Sequence, residues 1–232
     1  MTQQQEARQV VKYTFFKLDP AWRRENAEER RAQKREFAAV AEEFRDKLQL
    51  RPYNVVGLRG DCDFLLWTIS PSMETVQELS TQLNRTRLAG WLTTPHSFLA
   101  MTRPSPYVGR HQHEGQEGRR ATLHPVGTRY LFVYPFVKTA AWYRLPFDDR
   151  RRMMEEHFKV GHKFPSVRIN TAYSFGLDDQ EFVLSFEADN PADFLELVMA
   201  LREAEQRPYT ERDMPIFTCV AKPLAECLDA LG

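Results

Sequence analysis

Residues 129–161 read RYLFVYPFVKTAAWYRLPFDDRRRMMEEHFKVG, and the change of period inside this stretch decides the fold. The segment through Lys138 is a run of aromatic and β-branched residues, the composition of a buried strand. From Leu145 the pattern turns helical, with Asp148 and Asp149 in the first turn, where the helix dipole favours carboxylates, and Gly161 at the end. Working outward, VRINTAYSFG (167–176) and EFVLSFEA (181–188) read as strands around a Gly-Leu-Asp-Asp turn. Pro191 opens a helix through Glu205, and PIFTCVAKP (215–223) is a closing strand. The order β-α-β-β-α-β is the ferredoxin-like pattern.

The first half repeats it. KYTFFKLD (12–19) reads as a strand, and Pro20 introduces a charged helix over 21–49 in which Phe37, Val40, Ala41 and Phe44 recur at helical spacing. YNVVGLRG (53–60) and DFLLWTIS (63–70) are strands, Pro71 precedes a helix through Leu88, and HSFLAMT (96–102) closes the half. Two local echoes support duplication: Lys17 to Trp22 against Lys138 to Trp142, and Gly57-Leu…Asp63-Phe against Gly176-Leu…Glu181-Phe, each offset by about 120 residues. The expected class is α+β, with two ferredoxin-like domains at 1–102 and 129–232 whose sheets pack face to face with helices outside. Between them, 103–128 is rich in Pro, Gly and charge and reads as a linker. It holds three of the six histidines and, through Arg129, five arginines against two glutamates.

Composition excludes several classes. Over 232 residues, 32 basic side chains balance 32 acidic ones, which argues against a nucleic-acid binder or an acidic tail as a whole-chain reading. No apolar run has the roughly 18 residues of a membrane span, and the N-terminus lacks the apolar stretch of a signal peptide. Cys62, Cys219 and Cys227 are odd in number and poorly spaced for disulfides or zinc. A soluble cytoplasmic protein is expected. There is no GxGxxG, Walker A, HExxH or nucleophile elbow, so dinucleotide, NTP, zinc-protease and serine-hydrolase chemistry have no support.

A few residues stand out as carriers of chemistry. His157 lies on the apolar side of its helix with Met153 and Val160. It is either a hydrogen-bonded core histidine or a neutral imidazole ligand to iron or another metal. His162, just past Gly161, is the alternative ligand and faces solvent. Tyr134 sits in a strongly apolar strand, where a buried phenol packs its ring and finds one partner. Lys138, four residues on, shares the face of Tyr134 and Phe136 if Pro135 does not break the alternation; it either extends its charge to solvent or meets a carboxylate. His111 and His113 form an H-x-H without a Cys or carboxylate cluster, which suits exposed linker polarity or a distal base better than zinc. Arg168 and Asn170 alternate with Val167 and Ile169, and periodicity does not say which pair faces a cavity.

The ordered set YLFVYPFVK (130–138), WYRLP (142–146), RRRMMEEH (150–157), VRINT (167–171), GLDDQEF (176–182) and PIFT (215–218) resembles the chlorite dismutase family, in particular its coproheme decarboxylase branch of actinobacterial type. GLRGDCDFLLWT in the first half fits it more loosely. The resemblance implies a dimeric α+β barrel-type subunit of two ferredoxin-like domains, coproheme or haem b in the second, and a ring-shaped homo-oligomer, commonly a homopentamer. His157 matches the axial iron ligand, Tyr134 the tyrosine of radical decarboxylation, and Lys138 a residue contacting a propionate. His111 matches the distal base, with His113 near enough to exchange with it. Linker arginines, Arg120 among them, suit the four propionates of coproheme, and Arg168 and Asn170 are candidate porphyrin contacts. The implied reaction is hydrogen-peroxide-dependent decarboxylation of coproheme to haem b within haem biosynthesis, without nucleic acid or a membrane span. The alternatives are chlorite dismutation, which calls for a distal Arg from the strand holding Arg168, and a haem-binding protein of peroxidase-like activity. That strand is one residue short relative to chlorite-degrading members, leaving open which of Arg168, Ile169 and Asn170 faces the iron.

Overall fold

The structure, a computed structural model, describes residues 8–107 and 122–232. It divides into two compact units, Met1–Met101 with Thr218–Gly232, and Thr102–Phe217. In chain order the first unit holds β1 (Val10–Leu18), a 3-10 turn (Pro20–Arg24), α1 (Ala27–Glu43), β2 (Gln49–Asn54), β3 (Phe64–Ser70), α2 (Met73–Asn84), a second 3-10 turn (Leu88–Trp91) and β4 (Leu92–Met101). The second holds β5 (Tyr130–Lys138), α3 (Ala140–Arg144), α4 (Phe147–Gly161), β6 (Arg168–Tyr173), β7 (Phe182–Ala188), α5 (Pro191–Arg202), a 3-10 turn (Arg207–Tyr209) and β8 (Thr210–Arg212). The chain ends in β9 (Phe217–Ala221) and α6 (Leu224–Asp229).

Local chemistry places these elements. Asn26, Ser72 and Asn190 cap α1, α2 and α5, their side-chain oxygens accepting backbone N–H bonds one turn in, and an acidic residue follows each cap. In the first unit β1 pairs antiparallel with β3 and β4, and β3 with β2, giving the order β4-β1-β3-β2. In the second, β5 pairs antiparallel with β7 and β8, and β7 with β6, giving β8-β5-β7-β6. Both are ferredoxin-like sheets, with helices packed on one face.

The first unit's core joins Leu18, Trp22, Phe37, Phe64, Leu66, Leu79, Leu83 and Leu88. Cys227, Leu228 and Leu231, from α6 and the residues after it, belong to that same core. Residues 218–232, expected in the second domain, group with the first unit, where the apolar side chains of 227–231 join the core, and residues from Thr102 on group with the second. Cys62, Cys219 and Cys227 are free and buried. Among the described residues, no helix is long and apolar enough to cross a membrane.

The duplication is detailed. β1 and β5, the 3-10 turn after β1 and α3, and the starts of α1 and α4 are each displaced by 120 residues; β2 and β6 by 119; β3 and β7, and α2 and the start of α5, by 118. Backbone bonds match as well. Asp19 N donates to Trp91 O at 2.8 Å, and Thr139 N to Tyr209 O at 2.9 Å. Gly57 and Gly176 hold the same turn at φ of 82° and 71°, the left-handed region that a side chain would strain. One echo shifts by a residue. Leu18 N donates to the Asp63 carboxylate at 2.9 Å and Lys138 N to the Glu181 carboxylate at 2.8 Å, so the counterpart of Lys138 is Leu18 rather than Lys17.

Candidate functional site

The second sheet turns an aromatic face toward α5. Phe132, Tyr134 and Phe136 of β5 lie opposite Phe186, Leu184 and Phe182 of β7, which in turn lie opposite Ile169, Thr171 and Tyr173 of β6. Directly paired residues of antiparallel strands share a face, so these nine form one surface. Tyr134 stacks on Phe186 with ring centroids 5.8 Å apart, and Phe194 of α5 packs against both Phe186 and Phe132. The alternation runs unbroken through Pro135. Tyr134 is 8% exposed. Burial pushes its phenol above the ordinary range; the Asp213 carboxylate adds to this, and Arg202 and Arg207 oppose it.

Next to this surface lies a chain of three polar side chains. The Lys138 ammonium stands 5.3 Å from the Phe136 ring centroid and 4.4 Å from that of Trp142, which fixes it on the Tyr134 face. It donates to Gln206 Oε1 and, at 3.4 Å, to the Gln206 carbonyl. The Gln206 amide nitrogen is 3.2 Å from His157 Nδ1. Burial lowers the Lys138 pKa to about 8, helped by the charge of Arg207. Burial, and then the Lys138 charge, lowers His157 to about 4, so its imidazole is neutral at physiological pH.

Further groups surround these three. Arg202 and Arg207 both bind Asp213 Oδ2, at 2.5 and 2.8 Å, leaving a net positive cluster whose charges act on Tyr134. Tyr143 Oη donates to Glu181 Oε2 at 2.6 Å, the oxygen that also accepts the Lys138 backbone N–H, so the end of β5 is tied to α3. Tyr107 stacks on Phe147 and meets the edge of Trp142, and Arg150 Nη1 donates to its hydroxyl at 3.4 Å.

The structure thus brings Tyr134, Lys138 and His157 to one region. Arg168 and Asn170 are not brought there. Their register partners are Glu187 and Ser185, on the opposite face of the sheet, and it is Ile169 that shares the Tyr134 face. Asn170 is fully buried and donates to Glu187 Oε2 at 3.0 Å, while Glu187 also accepts the N–H groups of Val126 and Gly127. This polar set anchors residues 126 and 127 to β7. His162 is exposed at the C-terminal end of α4. His111, His113 and Arg120 lie outside the described residues.

Gln206, Arg202, Arg207 and Asp213 escape the sequence reading, because ALREAEQRPYTERD (200–213) looks like a solvated charged run. The signal that finds Gln206 is the duplication. Arg207 N donates to Ala204 O as Ala89 N does to Thr86 O, which makes Leu88 the counterpart of Gln206. Since α1 and α4 begin 120 residues apart, Phe37 is the counterpart of His157. The first unit therefore fills these three places with Leu18, Phe37 and Leu88, each at most 2% exposed in one apolar core. The fold has no need of polar groups there. Burying an ammonium, an amide and an imidazole costs stability, so their retention points to function.

Two outcomes follow from this contrast. The triple variant Lys138→Leu/His157→Phe/Gln206→Leu, which imports the first unit's side chains, is expected to unfold thermally at or above the wild-type midpoint. A fall of more than about 5 °C would mean that the polar trio holds the unit together. For Lys138 alone, the folded pKa lies below the unfolded one, so between about pH 8 and 10.5 the unfolded chain binds more protons and stability rises with pH. Wild type should therefore gain on Lys138→Met by on the order of 1–3 kcal/mol in urea unfolding between pH 7 and pH 10. A pH-independent difference would contradict the buried ammonium.

The chlorite dismutase family model matches residues 30–222. A coproheme decarboxylase of Mycolicibacterium smegmatis is 35% identical over 167 residues, 72% of this chain and 70% of that protein. A mutant chlorite dismutase of Candidatus Nitrospira defluvii superposes with a TM-score of 0.88 at 24% identity, covering 97% of this chain and 96% of the other. A heme-binding protein of Thermus thermophilus superposes with a TM-score of 0.82 at 25% identity over 96% and 94%. With a family match across most of its length and two ferredoxin-like units in its fold, the chain belongs to the chlorite dismutase family.

Proposed function

We propose that the second unit binds an iron porphyrin through His157 and that the protein is a peroxide-dependent coproheme decarboxylase. The observation that carries the reading is a neutral imidazole, aligned through Nδ1 by Gln206 and with no hydrogen-bond partner at Nε2 among the described residues, next to an aromatic face bearing a buried phenol. Among the described residues no three His, Cys, Asp or Glu side chains gather to hold a metal ion. An iron porphyrin, which brings most of its coordination with it, suits a lone imidazole of this kind. The name of the Mycolicibacterium relative supplies the substrate, and the Thermus neighbour supports haem-type binding.

In this reading the bound iron supplies oxidising chemistry with hydrogen peroxide as the consumed oxidant. Each round converts one propionate, one peroxide and one proton into a vinyl group, carbon dioxide and two waters; two rounds turn coproheme into haem b. The protein's own groups do the rest. His157 holds the metal, and its neutrality leaves a lone pair to give. Tyr134, kept protonated by burial, is the group that gives up its phenolic hydrogen atom and takes one back from the propionate β-carbon. Lys138, on the same face, is the cation suited to a propionate, and the Arg202–Asp213–Arg207 cluster adds positive charge near the phenol. His111 as base for the peroxide proton, with His113 as its alternate, and Arg120 as a propionate contact rest on family resemblance. The register of β6 favours decarboxylation over chlorite chemistry, because Ile169 and not Arg168 shares the Tyr134 face.

The test loads apo protein with iron coproporphyrin III, titrates in hydrogen peroxide and weighs the porphyrin. Stepwise loss of two carboxyl groups through a three-propionate species is expected from wild type. Tyr134→Phe should bind but lose no mass, and His157→Ala should fail to retain the porphyrin. Binding with bleaching alone would refute decarboxylation, and a fully active Tyr134→Phe would refute the role of the phenol. A slowed His113→Ala beside a normal His111→Ala would reassign the base.

A further inference from the structure

The trio Lys138, Gln206 and His157 has a polarity that the reading of His157 as an axial ligand must reverse. An ammonium only donates, so Lys138 requires the oxygen end of the Gln206 amide, and that oxygen is where its proton goes. The amide nitrogen therefore faces His157 Nδ1, at 3.2 Å, and it too is a donor. Nδ1 accepts. A neutral imidazole has one ring proton, so in the free protein that proton is on Nε2.

Nε2 is also the nitrogen left to bind a metal, since Nδ1 is occupied by Gln206. Ligation through Nε2 moves the ring proton to Nδ1, which becomes a donor and needs an acceptor. Within the trio, Gln206 can offer one only by a half-turn of its amide, presenting Oε1 to His157 and NH₂ to Lys138. The ammonium then faces a donor and keeps only the Gln206 carbonyl at 3.4 Å. Lys138 must look elsewhere, and its long stem lies against Trp142 and Phe136 on the face that carries Tyr134.

We propose that Gln206 couples metal ligation at His157 to release of Lys138, which then takes a carboxylate of the same ligand. The site thereby favours molecules that carry a metal and an anionic arm together over those with either alone, and it does so by positioning rather than by shape. Gln206 is a positioning residue in this scheme. The proton passes between the two nitrogens of one ring, so the exchange needs no net uptake or release and no redox partner.

The coupling is read as a cycle of dissociation constants. Lys138→Met should weaken binding of iron coproporphyrin III about tenfold or more, as for loss of a charge-assisted contact. The same substitution should change binding of metal-free coproporphyrin III, which has the carboxylates but cannot ligate, less than about twofold. Equal losses on both would overturn the coupling. Independently, long-range ¹H–¹⁵N spectra of the apo protein should show His157 as the Nε2–H tautomer. In Gln206→Glu, whose carboxylate accepts from both neighbours, they should show Nδ1–H. An Nδ1–H signal in apo wild type would overturn the proposal. If His157→Ala binds iron coproporphyrin III as wild type does, the axial-ligand reading fails, an outcome distinct from failure of the coupling.

Discussion

A lysine ammonium held against an indole, with one glutamine side chain to satisfy it, constrains everything around it. Among the described residues no acidic side chain bonds the Lys138 ammonium; the carboxylate of Glu181 is engaged by the Lys138 backbone N–H and by Tyr143. Its charge is stabilised by the Trp142 and Phe136 rings and by Gln206, and burial still brings its pKa down to about 8. From that one requirement follows the orientation of the Gln206 amide, and from the amide follows the tautomer of His157. A single polar residue on β5 thus determines the chemical state of an imidazole on α4.

The two units show what the frame costs with and without that chemistry. Their backbones match in strand order and in the Gly57 and Gly176 turns, so the difference at these three places lies in side chains. Leu18, Phe37 and Leu88 contribute to the first core by burial alone, each worth about 1.5–3 kcal/mol relative to exposure. The second unit forgoes that term at all three places and adds the desolvation of charged and polar groups. One copy is built to be stable. The other keeps a buried polar trio, and it has aromatic packing of its own beside it, Phe132 on Phe194 and Tyr134 on Phe186.

Much of this was legible before any coordinates. The β-branched and aromatic runs and the change to helical period mark most strands and helices within a few residues, and the 120-residue echo announces the duplication; the exceptions are α1, which ends at Glu43, and β2, which runs Gln49–Asn54 where a strand over 53–60 is expected. Elements too short to have a period, α3 and the 3-10 turns, leave no such trace. The lysine echo misleads by one position because Lys17 and Leu18 are adjacent, and only the carboxylates of Asp63 and Glu181, each receiving one backbone N–H, decide which of them matches Lys138. The face of β6 depends on its pairing with β7, a long-range fact that alternation within VRINT does not contain. The C-terminal helix is apolar enough to be buried, but its partner is a core built from residues between Leu18 and Leu88, far earlier in the chain. Gln206 is invisible as a motif and conspicuous as a mismatch with Leu88.

Electrostatics narrow what the aromatic face can receive. Asp213 is shared by two guanidiniums, and Lys138 has neutral hydrogen-bond partners, so the charged groups next to the Tyr134 surface sum to a positive excess. Screening by solvent is weak for Lys138, which is 7% exposed, and its field reaches both His157 and the face beside it. A flat apolar ligand satisfies the rings, yet only one with anionic arms answers the cations. Burial and the Lys138 charge together hold His157 neutral, and the same charge is what an anionic arm on the face beside it would meet, so one buried ammonium acts on the imidazole and on the aromatic face at once.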